Sequence, residues 1–173
     1  IVHVGGTWSV DADISTLNNV YKKGTGYLTM NNNLTVNGDI EFDPETQLRM
    51  GSYTMTGKPG KSFKMGVNCQ LHTSVVKGDG DNVALPTGFG TFELDSTSYT
   101  YLEAAADQIL PSNVTYGIVY LNNTASRTVY LNGDTYVKGN FYNNQDGTVL
   151  DDQDLHNLHL YGATNDLRNY RPT

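Results

Sequence analysis

Five groups of residues in this chain have side chains suited to chemistry. Asp151, Asp152 and Asp154 form its densest carboxylate group. Glycosidic-bond hydrolysis needs a proton donor and a base or nucleophile held at a defined separation, and stacked chain segments can supply such a pair. Nothing around these aspartates fixes a partner, so a corner loop with solvated carboxylates is the plainer reading. Asp79, Asp81 and Asn82 offer hard oxygen ligands in a glycine-flexed loop, the donor set that calcium favours. Their spacing departs from the EF-hand loop and from the Gly-Gly-x-Gly-x-Asp roll, which leaves calcium as the one cofactor to consider and a polar loop as the alternative.

His156 and His159 are three residues apart in Leu155-His156-Asn157-Leu158-His159-Leu160. On a helix they would share a face, but the leucines alternate as in a strand and send the two rings to opposite faces. A shared metal is therefore not expected. His3 and His72 have no Cys, His or carboxylate neighbour in sequence that completes a zinc motif. Cys69 lies in the strand-like run Met65 to Leu71 with no histidine placed to activate a thiolate, and reads as a small buried hydrophobe. Trp8 and the 12 tyrosines are able to stack on sugars, yet most tyrosines alternate with apolar residues, a pattern suited to packing on one another. No catalytic residue emerges, and the chain is read as non-enzymatic.

The elements that position these groups follow from composition. The 173 residues carry 38% hydrophobic and only 17% charged side chains, and 18 Gly, 18 Asn and 20 Thr dominate the remainder. With only four Glu, the chain lacks the residues that feed helices. Tyr, Val, Thr and Leu are too frequent, and too regularly interleaved with turn formers, for a disordered chain. A net charge of -7, with 11 scattered Lys and Arg, speaks against a phosphate-binding surface and hence against nucleic acid. No run approaches the roughly 18 apolar residues of a membrane span. Ile1 opens directly on a strand-like run without a leader pattern, which reads as the start of a mature or excised piece.

Three triplets, Leu28-Thr29-Met30, Leu34-Thr35-Val36 and Ile40-Glu41-Phe42, recur at a spacing of six and are separated by Asn, Gly and Asp. Each has the apolar-polar-apolar order of a strand, and the separators tolerate the conformations that bend a chain. A second signature, apolar-x-Gly-x-apolar, occurs as Val4 to Trp8, Val36 to Ile40 and Val137 to Phe141, with echoes at Gly57 and Gly162. Copies about one solenoid coil apart predict a parallel β-helix, right-handed for coils near twenty residues, with apolar ladders inside and Thr or Asn ladders outside. A β-sandwich is the alternative, but its strands are longer and its turns further apart. The whole chain, 1–173, reads as one solenoid segment of a longer repetitive protein, with loose repeat units at about 1–85 and 90–173. Lys77 to Asn82 is a polar insertion or corner between them. Short helices are conceivable at Asp13–Val20 and Leu102–Asp107.

The string from Leu110 to Asn123, followed by Ser126 to Asp134 and Val137 to Phe141, resembles the repeats of large surface proteins that Bacteroidota export through the type IX secretion system, among them gliding and attachment adhesins. The likeness covers Gly90 to Gly162 and, more loosely, Val4 to Gly57. It departs at Tyr116-Gly117-Ile118-Val119, where the Asn-Leu usual after the tyrosine is absent. The resemblance implies an extracellular, cell-surface location and a structural or adhesive role, with neighbouring repeats of the same chain, surface glycans or other surface proteins as partners. It also makes Asp95-Ser96-Thr97 similar to the O-glycosylation acceptor string of that phylum, with Ser96 as the acceptor. A polysaccharide-binding or polysaccharide-degrading β-helix is the other expectation, although the Asn-Thr-Asp and Gly-His-Gly strings of polygalacturonase-like enzymes do not occur.

Overall fold

The computed structural model describes residues 2–78, 82–122, 127–143, 149–151, 156–165 and 170–171. These form short β-strands and no helix, and every strand pairing among them is parallel. Partners lie one coil apart, so the fold is a parallel β-helix, as the repeat analysis expects, and the sandwich is excluded.

The triplets at a spacing of six occupy three successive sides of a single coil. The first face is a five-stranded sheet of β1 (Val2–Gly5), β4 (Val20–Lys23), β7 (Ile40–Phe42), β10 (Ser62–Met65) and β12 (Thr91–Leu94). The second, here called the spine, has one strand from each of seven coils: β2 (Trp8–Val10), β5 (Gly26–Met30), β8 (Thr46–Gly51), β11 (Gln70–Thr73), β13 (Tyr99–Leu102), β16 (Ile118–Leu121) and β19 (Phe141–Asn143). The third face begins with β3 (Thr16–Leu17), β6 (Leu34–Val36) and β9 (Met55–Thr56), extended by a bridge from Thr56 to Thr87.

Past this point the cross-section changes while the spine continues. β14 (Gln108–Leu110), β17 (Thr128–Leu131), β20 (Val149–Asp151) and β22 (Tyr170–Arg171) form a new sheet. β15 (Thr115–Tyr116), β18 (Thr135–Val137) and β21 (Leu158–Leu160) form another in place of the first face. The change follows the longest coil. Val2 pairs with Val20, 18 residues on, whereas Phe63 pairs with Phe92, 29 residues on. The extra chain includes the polar stretch from Lys77 expected to be an insertion. Around it Lys77 N donates to Asp107 O, Ala84 N to Ile109 O and Thr87 N to Met55 O, joining the old third face to the new one. The two conceived helices are corners and strands instead: β3 lies within Asp13–Val20, and Leu102 ends β13. Each segment is too short to form a stable helix against the pairing offered by its neighbours.

Burial alternates along the strands. β5, β6 and β7 each send two apolar residues inward and turn a polar one outward at their triplets. Like residues stack over one another, as in Leu28, Leu48 and Leu71 of the spine, all fully buried. One cation interrupts the apolar interior. Lys22 lies in the inward column between Val4 and Phe42, and its Nζ donates to the carbonyls of Lys23 (3.0 Å), Thr25 (3.2 Å) and Gly24 (3.4 Å). Burial lowers its pKa, with Asp43 and Cys69 acting in the opposite direction.

Corners break the ladder of backbone hydrogen bonds, and Asn and Asp side chains repair it across coils. Asn19 Oδ1 accepts from Asp39 N, Asn33 Oδ1 from Thr54 N, Asp39 Oδ1 from Ser62 N, Asp107 Oδ1 from Thr128 N and Asp134 Oδ1 from Asn157 N. Amide donors stabilise the ionised form, so Asp39 and Asp134 are held below the ordinary carboxyl value of 3.8, through Ser62 N and Asn157 N first. Glycine marks corners where coils touch. Gly139 N donates to Gly117 O, and a Cβ at Gly139 would lie 2.7 Å from Ile118 Cγ1 and 2.8 Å from Gly117 O. The apolar-x-Gly-x-apolar signature therefore marks corners in general, joining β1 to β2, β6 to β7 and β18 to β19.

Two outcomes test this account. Gly139→Ala should cost about 1–3 kcal/mol through overpacking, whereas Gly5→Ala, which has open space around its Cβ, should leave the urea midpoint within error. In acid, the unfolded chain takes up protons before the folded carboxyls of Asp39 and Asp134 do. Their contribution is therefore complete above 3.8 and lost as pH falls through their lower folded values. Asp39→Asn with Asp134→Asn retains both acceptor oxygens and should flatten the acid limb of stability measured from about pH 5 to about pH 2.

Candidate functional site

The outer surface of the spine gathers the side chains with the clearest capacity for recognition. Strand register puts Thr29, Arg49, His72, Tyr101, Tyr120 and Tyr142 in one outward column, one per coil. From His72 onward the rings stack: centroids are 4.6 Å apart for His72 and Tyr101, 5.1 Å for Tyr101 and Tyr120, and 4.5 Å for Tyr120 and Tyr142. Tyr99 flanks the column and stacks on Tyr101 and Tyr120. On the coils before His72, Arg49 lies over the Tyr27 ring at 3.9 Å and donates to Gln47 Oε1.

This geometry confirms the expectation that tyrosines pack on one another. It also shows what the ladder offers a ligand. Ring faces are spent on neighbouring rings, so edges and phenolic oxygens are what the surface presents, at the pitch of the coils. Tyr101 and Tyr120 titrate above the ordinary value of 10.0, chiefly because burial disfavours the phenolate and then because neighbouring tyrosines repel it. At neutral pH Tyr101 and Tyr120 therefore present neutral hydroxyls able both to donate and to accept.

Sequence reasoning missed the surroundings of His72. Its Nδ1 lies 3.0 Å from Glu103 Oε1 and its Nε2 3.2 Å from Gln70 Oε1. The glutamate comes from the next coil, 31 residues away. The signal was available only through register: once Leu71 is stacked on Thr100, His72 must face Tyr101, and Glu103 follows two positions later.

A second candidate is a cleft of about 730 Å³ where the first face gives way to the sheet that replaces it. Glu41, Asp43, Glu93, Asp95, Lys64 and Lys138 line it. Lys64 pairs with Glu93 at 3.5 Å and Asp43 with Lys23 at 3.0 Å. Asp95 accepts from Thr97 N at 2.9 Å and Thr97 Oγ1 at 2.8 Å, which holds its carboxyl below the ordinary range. Ser96 is exposed on the rim of this cleft, in the tight turn that Asp95 closes.

The remaining sequence candidates are dispersed. Asp79 and Asp81 lie outside the described residues, as do Asp152 and Asp154. Asn82 is exposed beside a small cavity lined by Thr54, Met55 and Thr56. Asp151 faces Tyr130 in β17. His159 is on the outer side of β21 and stacks on Tyr136 at 4.5 Å, while His156 precedes that strand. His3 stacks on Tyr21. Cys69 is fully buried, with Sγ 3.0 Å from Asp43 O, as its sequence context suggests. Among the described residues no group of three or more His, Cys, Asp or Glu is gathered as for a metal, and no helix is long and apolar enough to cross a membrane.

No family model, curated protein or solved structure matches the chain.

The ladder yields a direct test. Tyr120 touches three rings, so Tyr120→Ala should lower stability by about 1–3 kcal/mol, whereas Tyr120→Phe, which keeps the stack and loses only the hydroxyl, should stay within about 0.5 kcal/mol, both by urea denaturation.

Proposed function

We propose that this chain is a non-catalytic structural and adhesive module of an extracellular bacterial surface protein, in which the solenoid is a spacer and the outer face of the spine is the presented binding surface. One observation carries the reading: the unbroken outward column from Arg49 through His72 to Tyr142, continuous over coils on which the other two faces change sheets. A surface maintained through a change of cross-section suits contact with an extended partner better than a point reaction. The likeness of Leu110 to Phe141 to the repeats of type IX-secreted surface proteins of Bacteroidota supports the location and the repetitive setting. Neighbouring repeats of the same protein are the partners expected at the ends, and surface glycans or surface proteins those expected along the spine. Ser96, exposed on its turn, suits O-glycan attachment.

A second reading, a domain that binds or cleaves polysaccharide, draws on the cleft with its four carboxylates. There Asp43 is bound to Lys23 and Asp95 to Thr97, employment that favours binding over proton transfer.

A glycan array read together with reducing-sugar release separates the two. The adhesive reading expects retention without sugar release, weakened at least fivefold by the double variant Tyr101→Ala with Tyr142→Ala. Release of reducing ends, abolished by Glu41→Gln or Glu93→Gln, would replace it with the hydrolytic one.

A further inference from the structure

β12 is an edge strand in the middle of the solenoid. Its amides at Thr91 and Asp95 donate back to Lys61 O and Met65 O on the preceding coil. Main-chain groups of a strand alternate in direction, so those of Phe92 and Leu94 face the following coil. There the sheet stops: β15 approaches β12 but does not pair with it, and among the described residues neither Phe92 nor Leu94 has a main-chain hydrogen bond on that side. Unpaired main-chain groups beside an open space form a template for another strand.

The interior is also uncovered at this position. Phe92 continues the inward column of Val20, Ile40 and Phe63, which are at most 1% exposed, yet Phe92 itself is only partly buried. Its ring packs on Phe63 and Phe89, at 5.6 Å and 5.9 Å between centroids. Phe92 lines both the 730 Å³ cleft and a second cavity of about 290 Å³ bounded by Pro86, Pro111 and Asn113. The two spaces thus flank the free edge, one toward each end of the strand. Around the larger one, four carboxylates outnumber two lysines, and Lys64 is already held by Glu93.

We propose that the free edge of β12 accepts an extended peptide of basic character, which pairs with the main chain at Phe92 and Leu94, covers the Phe92 ring with one apolar side chain and sets lysine or arginine side chains against Glu41, Glu93 and Asp95. Main-chain pairing supplies the affinity and the acidic rim selects the charge, the division of labour in strand addition. This site is separate from the aromatic ladder, and its test does not depend on what the ladder binds.

Three blocked pentapeptides of alternating Val and Thr provide the probes: one flanked by Lys, one flanked by Glu, and the Lys-flanked sequence N-methylated on alternate amides. Each is titrated into the full chain, with binding read by fluorescence anisotropy and site by hydrogen exchange. The expected result is saturable binding of the Lys-flanked peptide with at least tenfold slower exchange at Phe92 and Leu94, and no such slowing with the methylated peptide. Glu93→Lys and Glu41→Gln change outward side chains at exposed or half-exposed positions and leave the main-chain groups of Phe92 and Leu94 in place, and each should weaken the Lys-flanked peptide several-fold while far-ultraviolet circular dichroism stays unchanged. The proposal is overturned if no peptide slows exchange at Phe92 and Leu94, if the methylated or Glu-flanked peptide binds as well as the Lys-flanked one, or if exchange there slows with protein concentration alone, which would make the occupant a second copy of the chain.

Discussion

Parallel pairing between successive coils is the constraint on which everything else in this molecule rests. No coil has a core of its own: Leu28 is buried because Leu48 lies over it, and Leu48 because Leu71 does. A strand of three residues is far too short to persist alone, but paired on both edges and repeated seven times along the spine it becomes part of a continuous sheet. The same rule explains the composition. At several corners the backbone ladder is interrupted, and an Asn or Asp side chain reaches about one coil along to accept the stranded amide, as Asn33 does for Thr54 and Asp107 for Thr128. Abundant asparagine is therefore structural polarity, spent on backbone groups that would otherwise be unsatisfied.

Much of this was legible in the residues. The triplets at Leu28, Leu34 and Ile40 disclosed the length of a side, and the separating Asn, Gly and Asp disclosed the corners. Cys69 is buried as expected, although the run from Met65 to Leu71 read as strand-like is a corner between β10 and β11, and side-chain alternation put His159 in a strand. What could not be read was anything dependent on how many residues a coil consumes. A coil that grows from 18 to 29 residues shifts the register of all that follows, so the meeting of His72 with Glu103 and the alignment of Tyr101, Tyr120 and Tyr142 are invisible until the coil lengths are known. The glycine signature misled in a related way. It is a rule about tight corners: the copies at Val4 and Val137 turn from the first face, or the sheet in its place, onto the spine, whereas the copy at Val36 turns from the third face onto the first, so matching them suggested one repeating column where the structure has two.

The aromatic ladder and the acidic cleft show how one scaffold separates two kinds of surface. Regular stacking produces the ladder, in which each ring is positioned by the one before it and the tyrosines present their hydroxyls at one per coil. An irregularity produces the cleft, where an inserted stretch changes the cross-section, ends one sheet and leaves charged side chains around a gap. Uniform surfaces suit extended, repetitive partners; a gap suits a short segment with a defined register.

The change of sheets at the fifth coil also has a mechanical meaning. Hydrogen bonds between coils run along the solenoid axis, so a pull on the two ends loads them in series. Most coil boundaries are closed by three seams, one per face. Between the fifth and sixth coils the spine and the β14–β17 seam carry the load, while the seam at β12 is open. Under tension this boundary has one seam fewer than those before it, so a bend there opens on the side of β12 and widens the gap at Phe92.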